Sequence, residues 1–217
     1  MTSSSETGLY VLGFGGHARS VADVALAAGI KSLTFVDANA LPDESFAGFP
    51  AITALPERLI AGWSIFPALG DNLSRKAAYN RHLAHIVKLI SPSATIGVGA
   101  EVGNGTIVGH HAHVGPAASV GRGVIVNTGA AVEHECQVGE FSHISVNATV
   151  AGRVRVGSNV FVGAGATVID KVSICDDVVI GAGATVVRDI TAPGTYVGTP
   201  ARPIKDEATL SRIRPKE

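Results

Sequence analysis

Every sixth residue from Ile96 to Val186 is Ile or Val. Sixteen successive positions hold to this rule, among them Ile96, Val102, Val108, Val114, Ile144, Ile180 and Val186. A period of six fits neither an amphipathic helix nor an alternating strand, so it marks a solenoid of short strands. The residue two places before each anchor is small or Val, as at Ala94, Ala112, Cys136, Ser142 and Ala148. Gly follows many anchors, as at Gly97, Gly115, Gly139 and Gly163. The pattern predicts a parallel β-helix of triangular cross-section, one hexapeptide per side, with β-branched anchors pointing inward. Small residues or Gly are expected to turn the corners, where bulk or a negative φ would clash. Three hexapeptides make a coil of 18 residues, so positions 18 apart stack at about the 4.8 Å strand spacing.

The solenoid leaves about eighty residues ahead of it, and these read differently. Residues 1–7 are polar and expected to fray. Residues 9–12 form an apolar strand, followed by Gly13-Phe14-Gly15-Gly16-His17-Ala18. A helical pattern in Val21, Val24, Ala25 and Ala28 stops at Gly29. Strands are expected at 33–36 and 65–69, a loop with a short strand at 46–53, and a short helix at 55–61. Asn72 or Ser74 would cap a helix running to about Leu83, with Arg75, Lys76 and Arg81 on its exposed face. Strands alternating with helices predict a small parallel α/β sheet. Residues 86–90 would link it to the solenoid, starting near Pro92, and a short helix is expected from Ala208.

Composition narrows the functional classes. The 217 residues carry a net charge of −1, which leaves no basic footprint for nucleic acid. No apolar run approaches a membrane span, and no basic segment leads into a signal-type stretch, so a cytoplasmic protein is expected. Cys136 and Cys175 match no metal or redox spacing, and Cys136 takes the small-residue slot of its repeat as a reduced core residue.

Two candidate sites stand out. The turn at Gly13, Gly15, Gly16 and His17 joins a strand to a helix, so its amides and the helix N-terminus can receive a phosphate. Asp37, ending the second strand, would accept hydrogen bonds from hydroxyls or a base N–H. So short a domain is about half a dinucleotide fold, which favours a nucleotide or nucleotide-sugar over NAD. The same glycines would also serve close strand-to-helix packing.

The second site lies mid-solenoid at Asn127-Thr128, His134-Glu135 and His143. One coil above His134 is Gly152, which leaves a groove for a thin acyl arm beside the imidazole. Glu135 could fix one tautomer and leave the other nitrogen free as a base. His134 and His143 are nine residues apart, half a coil, so they meet only if one comes from a neighbouring subunit in a threefold arrangement. His110, His111 and His113 are not 18 residues from any other histidine; polar surface or subunit-interface roles are expected, and no metal.

These residues resemble the bacterial nucleotide-sugar N-acetyltransferases of the left-handed β-helix class. That family includes the UDP-4-amino-sugar enzyme of bacillosamine biosynthesis and the sialic-acid-cluster and perosamine enzymes. The likeness runs through Gly13 to Ala18, Leu69-Gly70-Asp71-Asn72, the hexapeptides, His134-Glu135-Cys136, His143-Ile144-Ser145 and the stretch from Val197 to Arg202. It implies an α/β half-Rossmann-like nucleotide-sugar domain over 1–86, an all-β left-handed parallel β-helix over 87–204, and a tail over 205–217. It implies His134 as general base with Glu135 as partner. His143, Gly152 and Asn127 would bind acetyl-CoA; Gly13, Gly15, Gly16, His17, Asp37 and Asn72 would hold the nucleotide-sugar. It further implies a homotrimer, no permanent cofactor, acetyl-CoA as co-substrate, and transfer to the amine of a UDP-, dTDP- or GDP-linked 4-amino sugar. O-acetylation, a metal-dependent hydratase of the same solenoid class and a non-catalytic binding module are the alternatives. Where the family usually has Pro after the Ile-Ser, this chain has Val146-Asn147.

Overall fold

A computed structural model describes residues 7–204. The expectations for fraying over 1–7 and for a helix from Ala208 fall almost wholly outside that range. The N-terminal unit contains β1 (Gly8–Leu12), α1 (Gly16–Ala27), β2 (Ser32–Val36), β3 (Ser45–Phe46), β4 (Phe49–Ile52), β5 (Trp63–Pro67) and α2 (Asn72–Arg81). Its sheet runs β3-β4-β2-β1-β5, parallel except for the β3–β4 hairpin. Every residue of β1 is buried, as a central parallel strand requires. β2 lies on one side of β1 and β5 on the other. The strand order therefore reverses at β1, and a crevice opens at the carboxyl ends of these three strands.

No helix forms over residues 55–61. The stretch is too short to nucleate alone, and Ile60 is exposed while only Leu55 and Leu59 pack inward. A second correction concerns α2. Its inner face is Asn72, Arg75 and Tyr79, and Arg75 is fully buried where an exposed position was expected. This helix docks through hydrogen bonds more than apolar area, so its sequence shows no hydrophobic stripe. Asp71, rather than Asn72 or Ser74, is the N-cap, accepting from the Ser74 amide at 2.7 Å.

The solenoid is a three-sided parallel β-helix whose faces hold six, five and eight strands. Residues 18 apart pair in register, Ala131 with Thr149 and Ile125 with His143. Anchors and small residues line one continuous core, from Val108, Ala112 and Val114 to Ala184 and Val186. Ile96, on the first coil, is partly exposed because no coil lies beneath it on that face. The strand Leu89–Ile90 already pairs with Ile107–Val108, so the coil starts before Pro92. At the other end, Gly194–Val197 and Arg202–Ile204 form an antiparallel hairpin on the eight-stranded face.

Corners differ from the sequence expectation. The chain enters the left-handed region three residues after every anchor from Ile96 to Ile180, with φ near 57° at His111, 58° at Glu135 and 61° at Arg153. Glycine fills only some of these positions. The glycines directly after anchors serve close approach of coils: a Cβ on Gly115 would lie 2.6 Å from the His134 amide nitrogen.

The two units pack on each other along one solenoid face. The outward residues Leu89, Ile107 and Ile125 are buried with Val21, Val24 and Ala25 of α1 and with Leu9 and Val11. His110 clamps this contact, bonding Asp23 of α1 at 3.1 Å through Nε2 and the Ser91 hydroxyl at 2.7 Å through Nδ1. Replacing Ile144 with Ala, which empties a fully buried anchor, is expected to cost about 2–5 kcal/mol of unfolding free energy. Chemical denaturation would measure it.

Candidate functional site

Three strand ends build a cavity. The 13–17 turn leaves β1, Asp37 and Asn39 follow β2, and residues 68–71 follow β5. His143 and Phe161 of the solenoid close the space, which encloses about 680 Å³. A recess of about 230 Å³ beyond it is lined by Phe14, Asp37, Asn39, Ala40 and Glu44. Gly13 has φ 112°, which favours glycine strongly. Gly15 is the N-cap of α1 and supplies no side-chain hydrogen bond to the first turn. A Cβ on Gly15 or Gly16 would meet nothing within 4 Å. The first-turn amides thus border open space, where the helix dipole favours an anion.

Asp37 is partly committed to this turn: one carboxylate oxygen accepts from the Phe14 amide at 3.1 Å, the other from Asn39 at 2.9 Å. Spare lone pairs remain toward the cavity. Asn72 is buried, its oxygen accepting from Arg75 at 2.7 Å and its amide donating to the Val160 carbonyl at 3.4 Å. The cavity wall in that region is Asp71 and Ser74.

His17 and His143 both line the cavity and are neighbours there, ring centroids 6.2 Å apart and tilted by 40°. Each has one buried nitrogen without a hydrogen-bond partner, Nε2 of His17 and Nδ1 of His143. The other nitrogen of His143 meets the Asn127 amide at 3.2 Å, and its ring stands edge-on to Phe161 at 5.0 Å. Burial, aided by the Arg75 charge, pulls His17 down to about 4 and His143 well below the usual imidazole value. Both rings are therefore neutral at physiological pH. Sequence reasoning separated these residues, His17 with the nucleotide and His143 with acetyl-CoA; within one chain they share one cavity.

His134 lies elsewhere. It sits at the corner between the five- and six-stranded faces, opposite the face that carries the cavity. Its Nδ1 is 3.0 Å from Oε2 of Glu135, and Arg153 Nε donates to the same oxygen at 2.9 Å. An ionised carboxylate only accepts, so Nδ1 carries a proton, and in the neutral ring the lone pair is therefore on Nε2. The hydrogen bond from His134 foremost, together with Arg153, holds the Glu135 carboxyl below its ordinary value. The side chains of His134 and Glu135 are each about 49% exposed, so the imidazole is reachable. Arg153 escaped the sequence reading, although it stands 18 residues after Glu135 and the coil arithmetic places it there.

Gly152 stacks above His134 in a different sense from the expected groove. A Cβ at 152 would lie 2.5 Å from His134 Nε2, so the imidazole itself occupies that space. Asn127 lines a small cavity with His17, Ser20, Asp23 and Thr128. Of the histidine cluster, His110 is the inter-unit clamp and His111 an exposed corner. Among the described residues no group of His, Cys, Asp or Glu could hold a metal ion. No helix among them is long and apolar enough to cross a membrane.

Comparison with known proteins adds the following. The PglD N-terminal domain family matches residues 8–82, and the bacterial transferase hexapeptide family, six repeats, matches 153–188. The acetyltransferase domain of PglB from Neisseria gonorrhoeae is 34% identical over 91% of this chain and 99% of its own, with a TM-score of 0.86. The same domain in complex with acetyl coenzyme A is 34% identical over 92% of this chain and 100% of its own, TM-score 0.83. A histidine-to-alanine variant of GDP-perosamine N-acetyltransferase from Caulobacter crescentus, solved with CoA and GDP-perosamine, is 34% identical. It covers 92% of this chain and 97% of its own at a TM-score of 0.85. No curated protein matches the chain.

Two outcomes are expected. Gly152→Ala should displace the His134 ring and lower turnover far more than it lowers stability, compared by steady-state rates and thermal melting. The depressed His17 value has a definite sign. Between about pH 6.5 and 4 the unfolded chain binds more protons there than the folded one, so stability falls as pH drops through that window. His17→Gln should flatten part of that slope in denaturation curves taken across it.

Proposed function

The chain belongs to the nucleotide-sugar N-acetyltransferases of the left-handed β-helix class and is an acyltransferase; from that premise we propose how its site works. It transfers the acetyl group of acetyl-CoA to the amine of a nucleotide-linked amino sugar, a 4-amino-4,6-dideoxy sugar. What carries the proposal is the His134–Glu135–Arg153 relay, with a free Nε2 on an exposed corner. The likeness to relatives solved with acetyl coenzyme A, or with CoA and GDP-perosamine, supports it.

The 13–17 turn and the N-terminus of α1 receive the diphosphate, and the nucleoside extends past Asp37 into the recess beside Asn39 and Glu44. The sugar then points toward His143 and Phe161. His134 of the same chain lies at the opposite vertex of the prism and cannot reach it. A second copy must supply the base, so the working unit is a homotrimer with sites between subunits. In this division of labour residues 1–86 bind the nucleotide-sugar and 87–204 carry the acetyl transfer. His143, Asn127 and Gly152 border the acetyl-CoA arm where the copies meet.

The amine nitrogen attacks the thioester carbonyl, a C–N bond forms, and the C–S bond breaks as the tetrahedral intermediate collapses. His134 Nε2 takes the amine proton, and the imidazolium then hands that proton to the departing thiolate, which releases CoA and restores the neutral ring. Glu135 stabilises the imidazolium while it exists, and Arg153 keeps that carboxylate ionised. No protein nucleophile is required.

Thiol release from acetyl-CoA, screened with UDP-, dTDP- and GDP-linked amino sugars and their hydroxyl counterparts, tests the reading. Release with an amino sugar and not its hydroxyl counterpart is expected, and release only with hydroxyl acceptors would replace N- by O-acetylation. His134→Ala should lower kcat by about 10²–10⁴ with acetyl-CoA affinity retained; near-normal turnover would remove His134 from its role. A solution mass three times that of the chain is expected.

A further inference from the structure

Arg75 is fully buried, and its fork spans two walls of the cavity. On one side Nη1 donates to the carbonyls of Leu69 at 3.0 Å, Gly70 at 3.1 Å and Asp71 at 3.3 Å. On the other, Nε donates to Gly123 at 2.7 Å, and Nη2 to Phe141 at 2.8 Å and Ser142 at 3.4 Å. Nη2 also reaches the Asn72 oxygen at 2.7 Å. Residues 69–71 border the cavity directly, and residues 141 and 142 lead into His143. Among the described residues no carboxylate oxygen stands within ion-pair distance of this guanidinium.

A tie between two walls needs donors, which a neutral amide also has. A buried charge without a carboxylate partner is costly, so the charge itself calls for an explanation. The site beside it suggests one, since a diphosphate would bring negative charge into a cavity whose other helix terminus is already positive. We propose, resting on the reading of this cavity as a diphosphate site, that Arg75 is a positioning residue for the acceptor substrate. It fixes the 69–71 wall against residues 141–143 and supplies, from behind the wall, the positive charge that balances the ligand.

The neighbouring groups agree with this. Burial lowers Arg75 to about 9, with Asp71 opposing, so it remains charged at neutral pH. Its charge reaches both cavity histidines, adding to burial in keeping His17 and His143 unprotonated. The other charged groups nearby are Asp37 at the far end of the cavity, and Lys76 and Arg122 over the Phe141 ring. Arg122 is paired with Glu140.

The experiment compares the unaltered protein with Arg75→Gln and Arg75→Lys. Calorimetry with UDP, GDP and dTDP reads the ligand, and NMR titration of the His17 and His143 ring protons reads the field. Arg75→Gln should bind its preferred diphosphate about tenfold more weakly, through loss of the charge behind the wall. Its two histidines should titrate at higher pH. Arg75→Lys keeps the charge but loses the fork, so both histidines should stay low and affinity should partly recover, while kcat falls. An Arg75→Gln protein that folds, binds diphosphate unchanged and leaves both histidines unmoved overturns the proposal. Should both variants fail to fold, the unaltered protein still decides. Its Arg75 Nε–H resonance should shift on saturation with the diphosphate, and an unmoved resonance overturns the proposal. If the unaltered protein binds none of the three diphosphates, the cavity reading falls and this proposal with it. If it binds one and the variants match it, the Arg75 proposal alone falls.

Discussion

Main-chain hydrogen bonds between coils hold residues 18 apart opposite one another, and this register sets the places of the solenoid's His134, Glu135, His143 and Arg153. The Arg153 amide donates to the His134 carbonyl at 2.9 Å, and the Glu135 amide to the Pro116 carbonyl at 2.9 Å. Glu135 therefore sits at a left-handed corner with His134 before it and Arg153 above it, and the relay is assembled by backbone geometry before any side chain contributes. The same register places glycine at 152, where the imidazole takes the space a side chain would fill. This exposed corner gains its rigidity from the wall behind it, since exposed ion pairs alone contribute little.

The α/β unit depends on that wall as well. Its apolar docking uses Leu89, Ile107 and Ile125, the outward residues of one face, while its polar docking uses Arg75 on residues 123, 141 and 142. Between these contacts the three strand ends meet His143 and Phe161, and the cavity exists because neither unit closes it alone. Two neutral histidines and a helix terminus with no side-chain cap line the space. Such groups are costly in an empty protein and useful in an occupied one.

The repeat was legible because a period of six over sixteen anchors leaves no other regular structure. The Gly13 turn was legible from strand–turn–helix order, and the pairing of His134 with Glu135 from their adjacency in the chain. The docked face was legible in principle. Its outward positions read Leu89, Ile107 and Ile125, whereas the other faces carry Thr95, Glu101, His113 and Ser119 there. Arg75 was not, since an arginine on a helix of low apolar content reads as solvated, and nothing local says that main-chain carbonyls 48 and 66 residues away will receive it. The meeting of His17 with His143 was hidden for the same reason, as it depends on how two units dock.

A crystal structure of the protein with CoA and its nucleotide-amino-sugar tests the central claim most directly. The account places the diphosphate on the amides at residues 13–17 of one copy and the sugar amine within hydrogen-bond distance of His134 Nε2 from the next. A diphosphate bound away from that turn, or an amine remote from every copy's His134, would contradict it.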